Sequence, residues 1–397
     1  MPVPTLRRPH GRPLGTRTGW LRPVGMLAAV ALLAAGLAGV PASAGAAPPD
    51  RYSPRPGVIF NKPIGTRAKQ YRLFTHINRS INSAPRRSVI RIAVFSFSDM
   101  RTADNLIAAH RRGVAVKLVF DDHAVWDAQR KLTRVLGTNP RARSFAVTCE
   151  KSCRSTGGEM HGKFFQFYRT GGVKHVTMVG SNNLTSHNAE RQWSDLLTFA
   201  RNREVYRTFR GWFNELKWDT PVERPRIAEL HDKHLVLITP NNDDAEDGDP
   251  ALNALRPVVC RYEDGDRTRS TRVMISAHAW FGPRGHRIGQ RVAQLADEGC
   301  RVRVFYADEA FGNEIEKMLR ATSATLRTSR HKGVRTHQKL LIVQGRYGGN
   351  SDAHYAWTGS HNWTPWALKL DDIIVRTARR SVVKDYIRHF GWMFRNA

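Results

Sequence analysis

Apolar and polar positions run in the same order twice along this chain. RSVIRIAVFSFSD, Arg87 to Asp99, has the β-branched pattern of a strand; TADNLIAAHRRG follows as an amphipathic helical stretch ending at Gly113; VAVKLVFDD is a second strand ending at Asp122. The second half repeats the series with TRVMISAHAWFG (Thr271 to Gly282), the helical HRIGQRVAQLADEG ending at Gly299, and CRVRVFYAD ending at Asp308. A Gly just past an amphipathic run predicts a helix C-terminal cap. Strand–helix–strand order predicts parallel pairing with helices laid over the sheet. The segments ahead of each unit correspond loosely as well, GVIFNKPIG near Asn61 with LVLITPNND near Pro240. The expected fold is therefore α/β and duplicated: a first half over residues 51–222 and a second over 223–397, each a mixed, mostly parallel sheet flanked by helices. Early in the second half, PNNDDAEDGDPA (240–251) reads as a solvated acidic loop; it lacks the regular oxygen ligands of a calcium loop.

Hydrophobic residues make up 41% of the 397, which suits a globular chain with a sizeable core. The first residues stand apart. Arg7, Arg8, Arg12, Arg17 and Arg22 precede an apolar run, Gly25 to Val40, that ends in PASAGAA. Ala42-Ser43-Ala44 is a small-x-small cleavage pattern, so residues 1–44 read as a secretory signal peptide. The run is short for a membrane span, which needs roughly 20 residues. A secreted protein is expected, and Cys149, Cys153, Cys260 and Cys300 fit an oxidising compartment. Glu-Lys-Ser alone separates Cys149 from Cys153, suggesting a local bridge, and Cys260 would then pair with Cys300; four cysteines allow three connectivities. The formal net charge is +29, five of it in the leader. The rest still biases the protein towards polyanions: nucleic acid, anionic lipid or cell-wall polymers.

The candidate chemistry is also duplicated. EMHGKFFQFYRTGGVKHVTMVGSNNLT, Glu159 to Thr185, places His161 two residues before Lys163 and ends its second strand on Gly180-Ser181-Asn182-Asn183. RTHQKLLIVQGRYGGNSDAHYAWTGSHNWT gives His337 and Lys339, then Gly359-Ser360-His361-Asn362. Residues i and i+2 of a strand share a face, so each His and Lys point together. Asp195 (in WSDLL) and Asp372 (in LDDII) follow in matched context. A third His-x-Lys, His231-Asp232-Lys233, is followed by the acidic loop and no Gly-Ser-x-Asn, and reads as structural.

These residues resemble the phospholipase D superfamily, whose hallmark is two copies of His-x-Lys followed by Gly-Ser-x-Asn; the resemblance runs from about Arg51 to the end. It implies two phospholipase D-like repeats packed with pseudo-two-fold symmetry around one active site, and a phosphodiesterase working through a covalent phospho-histidine. Lys163 and Lys339 would supply positive charge to the phosphoryl oxygens, and Asn183 and Asn362 amide donors. Ser181 and Ser360 would fix the turns and add hydroxyl donors. By similarity His161 is the nucleophile and His337 the general acid, an assignment the sequence itself does not distinguish from its reverse. Asp195 and Asp372 would each hold a histidine's other ring nitrogen, with Glu190 a competitor in the first copy. The resemblance calls for no metal or cofactor. Surface or structural roles are expected for His175, His187, His286 and His361.

The chain departs from the pattern in one respect: the Asp usually found seven residues after each His is Tyr168 in one copy and Gln344 in the other. That position lies at the far end of the strand, which argues for a structural role and for an active enzyme. The expected substrate is a glycerophospholipid at a membrane or micelle surface, hydrolysed or transphosphatidylated by a monomer, with Trp357, Trp363, Trp366 and Leu368 candidates for lipid contact. The charge keeps a metal-independent secreted nuclease as the alternative. A catalytically silent polyanion-binding protein is the third reading, resting on Tyr168 and Gln344.

Overall fold

The duplicated pattern folds into two sheets, one from each half. The structure, a computed structural model, describes residues 51–240 and 248–396. The leader and most of the acidic loop 240–251 lie outside the described residues. In the first half Val89–Val94 and Ala115–Asp121 pair in parallel, with the helix Met100–Arg111 crossing between them. Asp99 caps that helix, accepting the Thr102 N–H at 2.8 Å, and Gly113 takes φ +88° just beyond its end. Arg272–Ala277, the helix Gly282–Asp297 and Arg301–Tyr306 repeat the unit, with Gly299 at φ +94°.

Beside each unit sits a hairpin. Lys163–Thr170 returns through Gly171-Gly172 as Val173–Gly180, and Lys339–Tyr347 returns through Gly348-Gly349 as Asn350–Gly359. Strands joined by so short a turn must run antiparallel. Both sheets are therefore mixed, and the parallel pairing expected to dominate is confined to the strand–helix–strand units and the edge strands Phe145–Cys149 and Thr325–Thr328 beside them. Among the described residues the first sheet has seven strands and the second nine. The register matches between halves: Val94 lies opposite Lys163, and Ala277 opposite Lys339.

Alternation along the central strands buries two faces in different cores. Phe164 and Ile342 enter a core shared by both halves, with Trp193, Trp212, Ile373 and Phe390 of the C-terminal helix Arg380–Asn396. Phe165 and Leu341 face the separate cores of their own halves. Two seams stitch the halves together beside this shared core. The His337 N–H donates to Trp193 O at 2.9 Å, and the Asp371 N–H donates to Glu159 O at 2.9 Å. Each seam thus fixes the segment leading into one His-Lys strand against the opposite half.

The glycines that open each Gly-Ser-x-Asn turn are required by close packing. A Cβ on Gly180 would fall 2.0 Å from Asp195 O, and one on Gly359 2.0 Å from Ile373 O. Cys149 bridges Cys153 and Cys260 bridges Cys300, as the sequence suggested. The first bridge closes a loop whose Ser152 hydroxyl and Cys153 N–H both donate to Asp371 Oδ2, at 2.7 and 2.8 Å. Among the described residues no helix is long and apolar enough to cross a membrane.

Buried histidines give the fold a pH dependence. Burial, with Arg72 and Arg79 nearby, lowers His76 to about 4; burial beside Arg379 lowers His234 to about 4; burial near Lys62 lowers His389 to about 3. A folded-state pKa below the unfolded 6.5 means that the unfolded chain takes up protons first as pH falls. The stability from these groups is complete above pH 6.5 and drains away towards pH 4, each group accounting for on the order of 3 kcal/mol. Asp371, raised by burial to about 6, works in the opposite sense. The three histidines outweigh it. Scanning calorimetry should show Tm falling by on the order of 10 °C between pH 7 and pH 4.5; a flat profile would contradict this reading of the core.

Candidate active site

The two strand entries meet across the halves. His161 and His337 sit two residues ahead of their lysines, each in the extended segment before its strand, and both are buried. The His161 Nδ1–H donates to Asp372 Oδ1 at 2.9 Å, so a histidine of the first half is held by a carboxylate of the second. The Ser360 hydroxyl also donates to that oxygen. On the other side, His337 Nδ1 lies 2.7 Å from Ser181 O. A carbonyl only accepts, so His337 too carries its proton on Nδ1 when neutral. Both imidazoles consequently keep an Nε2 lone pair for chemistry.

Asp195 departs from the expected symmetry. It accepts from the Ser181 hydroxyl at 2.7 Å, from Thr358 at 2.5 Å and from Tyr386 at 2.7 Å, and it does not hold His337. The residue ahead of Gly359 is Thr358, whose hydroxyl reaches across to Asp195; its counterpart ahead of Gly180 is Val179, which has no hydroxyl to offer Asp372. One His is therefore carboxylate-backed and the other carbonyl-backed. Ser181 and Ser360 donate their hydroxyl protons to these aspartates, which corrects their expected role as donors to a ligand. Glu190 is outside the site: it binds the Tyr71 hydroxyl at 2.5 Å on the surface.

Two lysines face the centre. Lys163 donates from Nζ to His161 O and lies 4.9 Å from the Phe95 ring centroid; Lys339 Nζ donates to His337 O at 2.8 Å. Burial, partly offset by Asp372, Asp121 and Glu159, lowers Lys163 to about 7. Burial and the neighbouring Lys163 ammonium push Lys339 well below its ordinary value. Burial and the Lys163 charge lower His161 to about 4, and burial with Lys339 beside it holds His337 well down. Burial would raise Asp372, yet His161 and His361 hold its carboxyl well below the usual range. Cations that depress one another in this way favour an anionic guest. Asn183 Oδ1 accepts the Ser96 N–H at 3.3 Å, which leaves its amide N–H groups as donors, and Asn362 occupies the matching turn.

Five residues around the site escaped the sequence reading. His361, expected at the surface or in a structural role, is buried against Asp372. Arg284 donates to His361 Nε2 at 2.9 Å, so the neutral ring must hold its proton on Nδ1, which faces Asp372 Oδ2 at 3.6 Å. Asp249 grips Arg284 through two contacts, 2.6 and 2.9 Å, completing a chain from Asp249 to His161. The His278 ring lies 4.4 Å from that of His337, tilted 57° to it, and Phe95 sets its ring edge-on to His161 at 4.8 Å. Their alignment one residue past Val94 and Ala277 was the signal available in the repeat.

The remaining expectations sort by position. Tyr168 is 41% exposed, and Gln344 binds His354 Nε2 at 3.2 Å; both lie at the far end of their strands from Lys163 and Lys339 and touch none of the residues above. His231 pairs with Glu229 at 2.9 Å and Thr208 at 2.8 Å, away from the centre. Trp357 and Leu368 are core residues, which corrects their expected lipid contact, whereas Trp366 is 60% exposed.

The family described as "Cardiolipin synthase, PLD-like domain" matches the chain twice, over residues 77–218 and 269–394. The chain belongs to the phospholipase D superfamily. The two matches each carry one His-x-Lys and one Gly-Ser-x-Asn, so the superfamily's paired motifs are the ones that converge here. No curated protein matches the sequence. Among solved structures, this phospholipase D-like chain is similar to polyphosphate kinase from Porphyromonas gingivalis, with 12% identity and a TM-score of 0.57 over 86% of this chain and 51% of that one. It is likewise similar to phosphatidylserine synthase from Haemophilus influenzae Rd KW20, with 14% identity and a TM-score of 0.56 over 86% of each chain. The chain spans about half the length of the kinase. At these identities the likeness is one of fold.

Proposed function

We propose that this protein is a secreted phospholipase D-type phosphodiesterase that cleaves glycerophospholipids through a phospho-histidine on His161. The observation that carries the reading is the unequal backing of the two histidines. A carboxylate behind His161 strengthens its Nε2 as a nucleophile and stabilises the cationic ring once phosphorylated. The neutral carbonyl behind His337 leaves that ring free to gain and lose a proton at Nε2. Leader and disulfides support export.

In the first step His161 Nε2 bonds to phosphorus, the bond to the alcohol oxygen breaks, and the leaving oxygen takes the proton from His337 Nε2. In the second, His337 Nε2 takes a proton from water, the oxygen bonds to phosphorus and the N–P bond breaks. An alcohol in place of water gives transfer. His337 must be protonated to begin, and its pKa is depressed in the free site; the negative charge of a bound diester offsets the lysines and raises it. Lys163, Lys339, Asn183 and Asn362 surround the phosphoryl oxygens. Trp366, in the short helix Pro365–Lys369 just after Asn362, and Val125, two residues past the His123 that stacks on Phe95, are 60% and 45% exposed and suit contact with lipid.

The net charge of +29 favours a nuclease as the second reading. Mature protein offered phosphatidylcholine micelles and plasmid DNA in parallel, in EDTA, separates the two. Choline release with intact plasmid is the expected result. Plasmid cleavage without choline release would overturn the lipid reading in favour of the nuclease.

A further inference from the structure

The two halves of the site differ most where they should match. Residues 95 and 278 each follow the strand residue that lies opposite the site lysine, so they occupy equivalent places. In the first half this place holds Phe95, an apolar ring against His161, itself covered by the His123 ring at 3.7 Å. In the second half it holds His278, against His337. The His278 Nδ1 lies 3.0 Å from Thr336 O, and only a donor satisfies a carbonyl, so Nδ1 carries the proton. Its Nε2 is then a lone-pair acceptor, with no hydrogen-bond partner among the described residues. The residue is partly exposed, more so than either His161 or His337.

Resting on the proposed double displacement, the alcohol's side of the reaction is the His337 side. The leaving alcohol departs, and the incoming water or alcohol arrives, on the face opposite His161, where His337 gives and retrieves the proton. We infer that His278 is a specificity residue for this alcohol: its Nε2 accepts a hydrogen bond from a second hydroxyl, next to the one transferred, and so favours polyol alcohols over monohydric ones. Phe95 has no part in this because its side of phosphorus never meets the alcohol. Burial and the Lys339 charge hold the His278 imidazole neutral, as an acceptor must be.

The test is a competition. With phosphatidylcholine as phosphatidyl donor, glycerol and 1-propanol are supplied together at equal concentration and the two transfer products are quantified. The ratio is independent of how much enzyme is active, so a partly folded variant still reports. Wild type should favour glycerol by about tenfold, the worth of one hydrogen bond. His278→Phe, which copies the first half, and His278→Asn, which keeps a donor for Thr336 O but lacks the distal acceptor, should bring the ratio within about twofold of unity. His278→Gln, whose amide oxygen reaches the Nε2 position, should recover part of the preference. A wild-type ratio near unity, or a tenfold ratio that survives in both the Phe and Asn variants, would overturn this inference while leaving the phosphodiesterase reading intact. Absence of choline release and of both transfer products from wild type would overturn the two together.

Discussion

His161→Ala should lower phosphodiester turnover by roughly 10⁴ to 10⁶-fold, the scale expected when the nucleophile of a covalent mechanism is removed. The variant should keep its fold. Among the described residues the buried imidazole has one hydrogen-bonded partner, Asp372, and that carboxylate retains the Ser360 hydroxyl and faces His361 Nδ1. Removing the ring also removes a group that burial has pushed down to about 4, so no neutral-pH charge is lost with it. Steady-state choline release, alongside a thermal melt of the same sample, checks both parts. Near-wild-type turnover in His161→Ala would contradict the assignment of this residue.

Asp372→Asn should cost about 10² to 10⁴-fold in kcat, and Asp195→Asn far less. An aspartate that fixes a catalytic imidazole's tautomer cannot be replaced by an amide without presenting the wrong atom to Nδ1–H. Asp372 fixes the tautomer of His161, the proposed nucleophile. Asp195 contacts no catalytic ring: it accepts three hydroxyls, from Ser181, Thr358 and Tyr386, and its amide replacement still offers one acceptor. The cost of Asp195→Asn should therefore appear mainly as a lower Tm. A pair of variants with equal losses in kcat would show that the asymmetry between the two histidines has no catalytic consequence. The kinetics of both variants at saturating substrate decide between these outcomes.

Much of this arrangement was legible before any coordinates. The strand–helix–strand units announced themselves because their apolar periodicity is strong and a glycine with positive φ closes each helix. The paired His-x-Lys and Gly-Ser-x-Asn motifs did so because residue identity and spacing repeat together. What stayed hidden depends on contacts across the halves. Whether Asp195 holds a histidine or three hydroxyls turns on Thr358 and on Tyr386 of the C-terminal helix, both distant in sequence from Asp195. His361 reads as a surface or structural residue until Arg284, itself gripped by Asp249, is seen to fix its tautomer. The sheets carry less parallel pairing than alternation alone suggests, since the two Gly-Gly turns dictate hairpins. Tyr168 and Gln344, the main departures from the motif, prove remote from the centre because seven residues of extended chain separate them from His161 and His337.

The central claim is a covalent phospho-histidine on His161, resolved by the proton chemistry of His337. Acid-sensitive phosphoramidates survive an alkaline quench, so the direct measurement is rapid-quench trapping with substrate labelled at phosphorus, followed by peptide mapping at high pH. His337→Ala should slow the second step and accumulate label on the peptide that contains His161, and His161→Ala should bind none. Label found on the His337 peptide, or labelling unchanged in His161→Ala, would contradict the account.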